Sequence, residues 1–282
     1  MYYIKIDLST TLPYLVESFK GLIGKDSLTL EKRNKLINII SVALKYSSYI
    51  QIIGMEKPIY IEDIYQQLSL SCLIYSHWEN KALIPEPIAN TDILSLVKEH
   101  KSAVIKAGPG DGKTTLVSWL YIQLCKKRDI FPILIILRWT NSINDLMFIV
   151  DELKQANKIM NNTIVLIIDG YDELDIEDRK KVSKIILEYE SLNVGVYYLT
   201  CRLHYDIYDL KVDHYHIKCF SSRDAKAYCN SFLNIYGSKT NANSVVEYLN
   251  GGFKNQLQCD RLISYHISRG FLQWRNGSAI II

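Results

Sequence analysis

The stretch Ile164-Val-Leu-Ile-Ile-Asp169-Gly-Tyr-Asp172-Glu173-Leu174 decides the fold of this chain. It begins with five consecutive apolar residues, four of them β-branched, which is typical of a strand buried on both faces of a sheet. Three carboxylates follow directly, those of Asp169, Asp172 and Glu173. In α/β proteins the ligands bind at the carboxyl ends of the parallel strands. The sequence therefore predicts a metal and ligand site where this strand ends.

A glycine-rich segment upstream, Ala107-Gly-Pro-Gly-Asp-Gly-Lys-Thr-Thr115, is the second informative motif. It follows a short apolar stretch at 102–107 and precedes another at 116–120, which predicts a strand, a loop and a helix in that order. Glycines allow backbone N–H groups to turn toward a phosphate without interference from a Cβ, and the helix N-terminus adds partial positive charge. The segment therefore predicts a loop that binds nucleotide phosphates.

Individual residues of this loop have expected roles. In loops of this Walker A pattern the lysine, here Lys113, reaches the β- and γ-phosphates, and the Thr114 hydroxyl binds Mg²⁺. The other positions would contribute backbone N–H groups, and we expect no role for the Asp111 side chain. The residues expected to contact the nucleotide are Gly108, Pro109, Gly110, Asp111, Gly112, Lys113, Thr114 and Thr115.

One position departs from the Walker A pattern, which has glycine where this chain has Ala107. Alanine is unfavourable there only if the turn requires a positive φ, a conformation that glycine adopts at little cost. In that case nucleotide binding would be weaker than usual.

Composition indicates a globular protein and excludes several other classes. Hydrophobic residues make up 48% of the 282 residues and the net charge is only +3, which excludes disorder and gives no strong indication of nucleic-acid binding. The six cysteines have no C-x-x-C spacing, which favours reduced thiols in the cytoplasm. We find no signal peptide and no apolar run of membrane-spanning length.

Periodicity divides the chain into four parts. They are an N-terminal helical region at 1–55, an irregular connector at 56–101, a core at 102–220, and a partial helical subdomain with a tail at 221–282. The core alternates strands and helices, which predicts a three-layer αβα arrangement around a parallel five-stranded sheet. Within it, we expect Ser142 to be the N-cap of a helix.

Several of these segments resemble one protein family. Residues 166–174 resemble the extended Walker B motif of the NACHT family of signal-transducing (STAND) P-loop NTPases, with a small residue after the first Asp and an acidic pair three and four positions after that Asp. Residues 131–137 resemble the second strand of that family, Leu199-Thr-Cys-Arg202 its sensor strand end, and 217–228 the start of its helical subdomain. The resemblance extends over about residues 100–250 and implies that the core is a NACHT-type P-loop NTPase.

The resemblance implies roles for the strand-end residues. Asp169 would hold Mg²⁺ together with the loop threonine, and Arg202 would sense the γ-phosphate and neutralise developing charge. Asp172 and Glu173 are both candidates to orient or deprotonate the attacking water, and the choice between them is open. Capping of the next helix is the alternative for these two carboxylates, and a surface cation at a strand end is the alternative for Arg202.

The implied function is an ATP-binding switch that hydrolyses slowly and whose nucleotide-dependent self-association serves immune or antiviral signalling. Its protein trigger and effector are unknown, and the preference for ATP over GTP rests on the resemblance. An AAA+-type turnover ATPase and an inert interaction fragment are the alternatives. Members of the family continue into a winged-helix domain and a sensor region, whereas the resemblance here fades after about residue 250. We therefore expect a truncated family member.

Overall fold

The structure is a computed structural model that describes several separate segments of the chain. These segments are residues 7–23, 28–50, 58–73, 90–156, 163–205, 207, 210–218, 222–235, 272–275 and 278–281. The helices are α1 Leu8–Ile23, α2 Leu30–Ser48, α3 Ile61–Ile64, α4 Ile93–Lys98, α5 Lys113–Cys125, α6 Ser142–Gln155, α7 Ile176–Ser191 and α8 Ser222–Ile235. The strands are β1 Tyr49–Ile50, β2 Ile59–Tyr60, β3 Leu70–Leu73, β4 Asn90–Thr91, β5 Ala103–Ala107, β6 Ile130–Ile136, β7 Thr163–Asp169, β8 Gly195–Arg202, β9 Asp213–Ile217, β10 Leu272–Arg275 and β11 Ser278–Ile281.

A mixed sheet with the strand order β4-β3-β9-β5-β8-β7-β6 organises the core. The five strands from β9 to β6 are parallel, as expected for the alternating pattern. The predicted total of five strands is wrong, because β3 pairs antiparallel with β9, and β4 pairs antiparallel with β3. Both extra strands are short and belong to the predicted connector. They form because the open edge of β9 offers hydrogen-bonding groups, which the local sequence pattern does not reveal.

The order of the parallel strands determines which strand ends meet. β8 lies between β5 and β7, so that Arg202 is in register with Ala107 on one side of β8. β6 and β7 are in register at Ile136 and Asp169. The glycine-rich loop, the end of β8 and the first strand-end carboxylate therefore lie along the same edge of the sheet.

Helices pack on both faces of this sheet. Because parallel crossovers are right-handed, α5 lies on one face, and α6 and α7 lie together on the other. The apolar part of the stretch that decides the fold is fully buried, with the residues from Ile164 to Ile168 at 0% exposure, as expected for a strand covered on both faces. The three-layer part of the prediction is confirmed.

The N-terminal helices cover α5 and the edge strand β6. α1 packs against α2, and α2 packs against both α5 and β6. Thr29 is the N-cap of α2, and its hydroxyl accepts a hydrogen bond from the Lys32 N–H at 3.4 Å. The Lys32 ammonium also forms an ion pair with the buried Glu152 of α6 at 2.6 Å. This helical region is thus attached to both sides of β6.

Part of the predicted connector packs along α5. The Glu62 carboxylate on α3 pairs with the Lys126 ammonium, and the Tyr65 ring stacks on the Trp119 ring with the centroids 4.2 Å apart. These contacts place the connector beside the helix that begins at the glycine-rich loop. The stretch at 61–65 therefore supports α5 and is not an irregular linker.

The predicted N-cap of α6 is wrong. The N-cap is Asn141, which has a φ of +68°, and Ser142 is the first residue of the helix. The Ser142 hydroxyl donates to the Leu137 carbonyl at 2.8 Å, so it stabilises the preceding turn and does not cap the helix. Asparagine tolerates this left-handed conformation better than most residues.

Near the end of the chain, β10 and β11 pair antiparallel as a two-stranded sheet. The sequence pattern also predicts a helix starting at 243–249, and these residues lie outside those that the structure describes. Among the helices that are described, none is long and apolar enough to cross a membrane.

Candidate functional site

The glycine-rich loop connects β5 to α5 and has two residues in the left-handed region. Gly110 has a φ of +81° and Gly112 a φ of +91°, conformations that disfavour any side chain with a Cβ. Gly112 is the N-cap of α5, which begins at Lys113. Ala107 is the last residue of β5, is fully buried and does not have a positive φ. Its departure from the Walker A pattern therefore carries no backbone strain.

The Lys113 side chain folds back over the start of the loop. Its ammonium donates to the Ala107 carbonyl at 3.0 Å and to the Gly108 carbonyl at 2.9 Å. Burial lowers the pKa of Lys113, and neighbouring carboxylates, of which Asp172 has the largest effect, oppose that shift. The loop thus contains a partly desolvated cation that donates to two backbone carbonyls of the loop itself.

Two threonine hydroxyls hold Asp169 at the end of β7. Its Oδ2 accepts from the Thr114 hydroxyl at 2.8 Å, and its Oδ1 accepts from the Thr200 hydroxyl at 2.6 Å. Thr200 is fully buried, and its oxygen also accepts from the Gly170 N–H at 3.0 Å. The sequence prediction does not include Thr200. The signals for it are a polar residue in an apolar strand and its position in the segment Leu199-Thr-Cys-Arg202, which resembles the sensor strand end.

The Thr114 hydroxyl and the Asp169 carboxylate provide oxygen ligands of the kind that Mg²⁺ requires. Mg²⁺ usually binds one or two carboxylates together with substrate phosphates and waters, so a single carboxylate beside a phosphate loop is sufficient. When bound, the ion would neutralise phosphate charge. The two predicted metal ligands are thus in direct contact, and the site fits this ion.

Asp172, in the turn that follows β7, pairs with Arg202 at the end of the neighbouring strand β8. Its Oδ1 accepts from the Arg202 backbone N–H at 3.1 Å, and its Oδ2 lies 2.9 Å from the Arg202 Nε. The Asp172 side chain is only 5% exposed, whereas that of Arg202 is 52% exposed. Asp172 does not cap the next helix, because the N-cap of α7 is Asp175, which accepts from the Asp178 N–H at 2.8 Å.

Glu173 differs from its neighbour in its environment. It ends a single 3-10 turn, Tyr171–Glu173, that follows Gly170, a residue with a φ of +90°. Glu173 is exposed, and in the part of the chain that the structure describes its carboxylate has no hydrogen-bond or ion-pair partner. A carboxylate without a partner can accept a proton from water, which a carboxylate paired on both oxygens does poorly.

These groups surround one cavity of about 370 Å³, within the size range of small-molecule sites. Its lining residues are Pro109, Gly110, Gly112, Lys113, Thr114, Thr115, Asp169, Gly170, Asp172, Glu173, Thr200 and Arg202. All predicted site residues except Gly108 and Asp111 therefore line the same space. Those two contact each other: the Gly108 N–H donates to the Asp111 Oδ2 at 2.6 Å. The Asp111 side chain thus has a contact where none was expected.

The parallel-dominated sheet, the glycine-rich loop at the start of α5 and the strand-end carboxylate beside it together form a P-loop NTPase-like fold. No family model matches the sequence, and no curated protein does.

Two solved structures are similar to part of this chain. One is the structure of Drosophila ORC bound to DNA, with 14% identity and a TM-score of 0.37 over 61% of this chain and 49% of that chain. The other is the structure of C. elegans PCH-2, with 10% identity and a TM-score of 0.35 over 79% of this chain and 51% of that chain. The matched part therefore spans about half the length of each of these proteins.

Proposed function

We propose that this protein binds ATP with Mg²⁺ in the 370 Å³ cavity and acts as a slowly hydrolysing switch of the NACHT type. The observation that supports the proposal best is the convergence of two motifs about 60 residues apart on that cavity. One motif supplies a partly buried ammonium and a hydroxyl, and the other supplies a carboxylate that already accepts from that hydroxyl. This is the combination of charges that a triphosphate and its metal ion need.

The loop would bind the phosphates. The backbone N–H groups at the start of α5 and the Lys113 ammonium provide positive potential, and the Thr114–Asp169 pair would hold the metal ion. Thr200 would position Asp169, because its hydroxyl donates to the carboxylate oxygen that faces away from the loop threonine. In this proposal each side chain has one role: Lys113 binds phosphate, Thr114 and Asp169 hold the metal ion, and Thr200 positions Asp169.

The different partners of the two carboxylates support a different role for each of them in this proposal. Asp172 has both oxygens occupied by Arg202 and would orient that arginine. Glu173 has no such partner and would accept a proton from the attacking water. The two terminal nitrogens of Arg202 have no acceptor among the described residues, so they would be available to the γ-phosphate.

A nucleotide would have to replace side-chain contacts of Lys113 and Thr114 in order to bind. Lys113 donates to two loop carbonyls and Thr114 donates to Asp169, so phosphate and metal would replace three existing hydrogen bonds. A site that exchanges internal contacts for ligand contacts has two arrangements, whose equilibrium the ligand shifts. Self-association in the ATP-bound state, and a role in immune or antiviral signalling, follow from the resemblance to NACHT proteins.

Titration with a fluorescent ATP analogue tests binding. We expect Mg²⁺-dependent binding by the wild type and a loss of about 100-fold or more in Lys113→Ala, because a buried charge-assisted contact disappears. Lys180→Ala, which changes an exposed lysine of α7, is the matched control. Equally poor binding by the wild type and Lys113→Ala would reject the proposal.

Measurement of mass in solution tests the switch. We expect the wild type to assemble with ATP and to remain smaller with ADP, and Asp169→Ala to lose this difference because its metal site is incomplete. A constant mass in both nucleotides would reject the switch. Rapid steady-state turnover, on the order of 10 per second or more, would instead favour a turnover ATPase.

A further inference from the structure

The Asp111 carboxylate lies within the glycine-rich loop and closes a turn in the first half of that loop. Its Oδ2 accepts from the Gly108 N–H at 2.6 Å, and its own backbone N–H donates to the Gly108 carbonyl at 3.4 Å. The four residues from Gly108 to Asp111 thus form a turn that is closed at both ends. The Gly108 N–H is therefore satisfied within the turn, and the contact fixes the backbone of the loop before a ligand binds.

Gly108 provides the space for this contact. A Cβ at that position would lie 2.8 Å from the Asp111 Oδ2, closer than such atoms approach each other. Gly108 does not have a positive φ, so its value to the loop is the absence of a side chain. The same peptide is held from its other side, because its carbonyl, that of Ala107, accepts from Lys113 at 3.0 Å.

The charge of Asp111 acts in the opposite sense to its hydrogen bond. The Asp111 carboxylate and the Lys113 ammonium lie near each other, because they bond to the N–H and the carbonyl of the peptide that joins Ala107 to Gly108. A triphosphate in the same loop would carry several negative charges close to this carboxylate. Like charges in a partly desolvated site repel each other more strongly than they do in water.

We propose that Asp111 tunes the affinity of the loop for nucleotide: its hydrogen bond to Gly108 preforms the loop, and its charge weakens the binding of the polyphosphate. This inference rests on the proposed nucleotide-binding function. The ligand class is a nucleoside di- or triphosphate. The consequence is a loop that is ready to bind but releases its ligand readily, as an exchangeable switch requires.

Two substitutions separate the contribution of the Asp111 hydrogen bond from the contribution of its charge. Asp111→Asn keeps an oxygen that accepts from Gly108 but removes the charge, whereas Asp111→Ala removes both. Asp129→Asn removes the same charge from an exposed position beyond the other end of α5 and is the matched control. The readout is the dissociation constant of a fluorescent ATP analogue with Mg²⁺, measured at low and high salt.

At low salt we expect Asp111→Asn to bind about threefold to tenfold more tightly than the wild type, and Asp129→Asn to bind like the wild type. This gain in affinity should be smaller at high salt, because salt screens the repulsion between the Asp111 carboxylate and the polyphosphate. Asp111→Ala should bind more weakly than Asp111→Asn, because its loop is no longer closed. A purely structural role for Asp111 would not produce the dependence on salt.

The proposal is overturned if Asp111→Asn binds no more tightly than the wild type at low salt, or if Asp111→Ala matches Asp111→Asn. In either case Lys113-dependent binding by the wild type would leave the proposed function intact. Absence of that binding in a folded wild-type protein would overturn both. Far-ultraviolet circular dichroism and a thermal melt establish folding for every variant.

Discussion

Arg202 contacts both oxygens of Asp172, through its backbone N–H at 3.1 Å and its Nε at 2.9 Å. The pair joins the end of β8 to the turn that follows β7, and it places an exposed guanidinium at the rim of the cavity. Glu173, the next residue, remains without such a partner among the described residues. Two adjacent carboxylates thus have different environments, and their substitutions should have different consequences.

Glu173→Gln should abolish hydrolysis without abolishing binding. The amide cannot accept a proton from water, so we expect the hydrolysis rate to fall by about 10²-fold to 10⁴-fold while the affinity for ATP changes by only a few-fold. Single-turnover hydrolysis and nucleotide titration measure the two quantities. Glu177→Gln, an exposed change on α7, is the control. An active Glu173→Gln variant would contradict the assignment.

Asp172→Asn should weaken the contact with the Arg202 side chain and leave the proposed base, Glu173, in place. An amide oxygen can accept only one of the two bonds and carries no charge, so the guanidinium is less well oriented. We expect both the rate and the affinity for ATP to fall, and Arg202→Ala to cause a similar loss. The double variant should then lose little more than either single variant. Additive losses would show that the two side chains act independently.

Thr200→Val should destabilise the protein and weaken its response to Mg²⁺. The change removes a donor to Asp169 and leaves the Gly170 N–H without its acceptor, at a cost of about 1–3 kcal/mol. Urea denaturation measures the free energy of unfolding, and an Mg²⁺ titration of ATP binding measures the metal response. Thr200→Ser keeps the hydroxyl and should behave nearly like the wild type. If valine and serine are equivalent, the hydroxyl has no role.

Gly112→Ala should damage the loop through its backbone conformation. A residue with a Cβ at a φ of +91° is strained by about 1–3 kcal/mol, and the added Cβ would lie 3.3 Å from the Leu68 side chain. We expect a lower midpoint in urea and a lower nucleotide affinity. Gly21→Ala is the contrasting control, because it lies in α1 with no atom near the added Cβ and should stabilise the protein by about 0.5–1 kcal/mol.

Ala107→Gly should not improve nucleotide binding, although it restores the usual Walker A residue. Ala107 has no positive φ and is fully buried at the end of β5, so glycine gains no needed conformation there. We expect an unchanged affinity for ATP and a loss of about 1 kcal/mol in the free energy of unfolding, because glycine is more flexible in the unfolded chain. A clear increase in affinity would show that the methyl group hinders the bound state.

The sequence by itself determined the elements that depend on local pattern. Five apolar residues before Asp169 require a strand buried on both faces, and the glycines before Lys113 require a turn into a helix, whatever the rest of the chain does. The five parallel strands and the two motifs of the site follow from such patterns. So does the expectation that both motifs lie at the carboxyl edge of the sheet.

The tertiary structure alone decided which of these groups touch. Only the order of the strands, with β8 between β5 and β7, brings Thr200 to Asp169 and Arg202 to Asp172, because partners about 30 residues apart in sequence meet only through the pairing of strands. The addition of β3 and β4 has the same origin, because β3 pairs with β9 from a distant part of the chain. Local periodicity shows which face of an element is buried, whereas the partner of each polar group depends on what packs beside it.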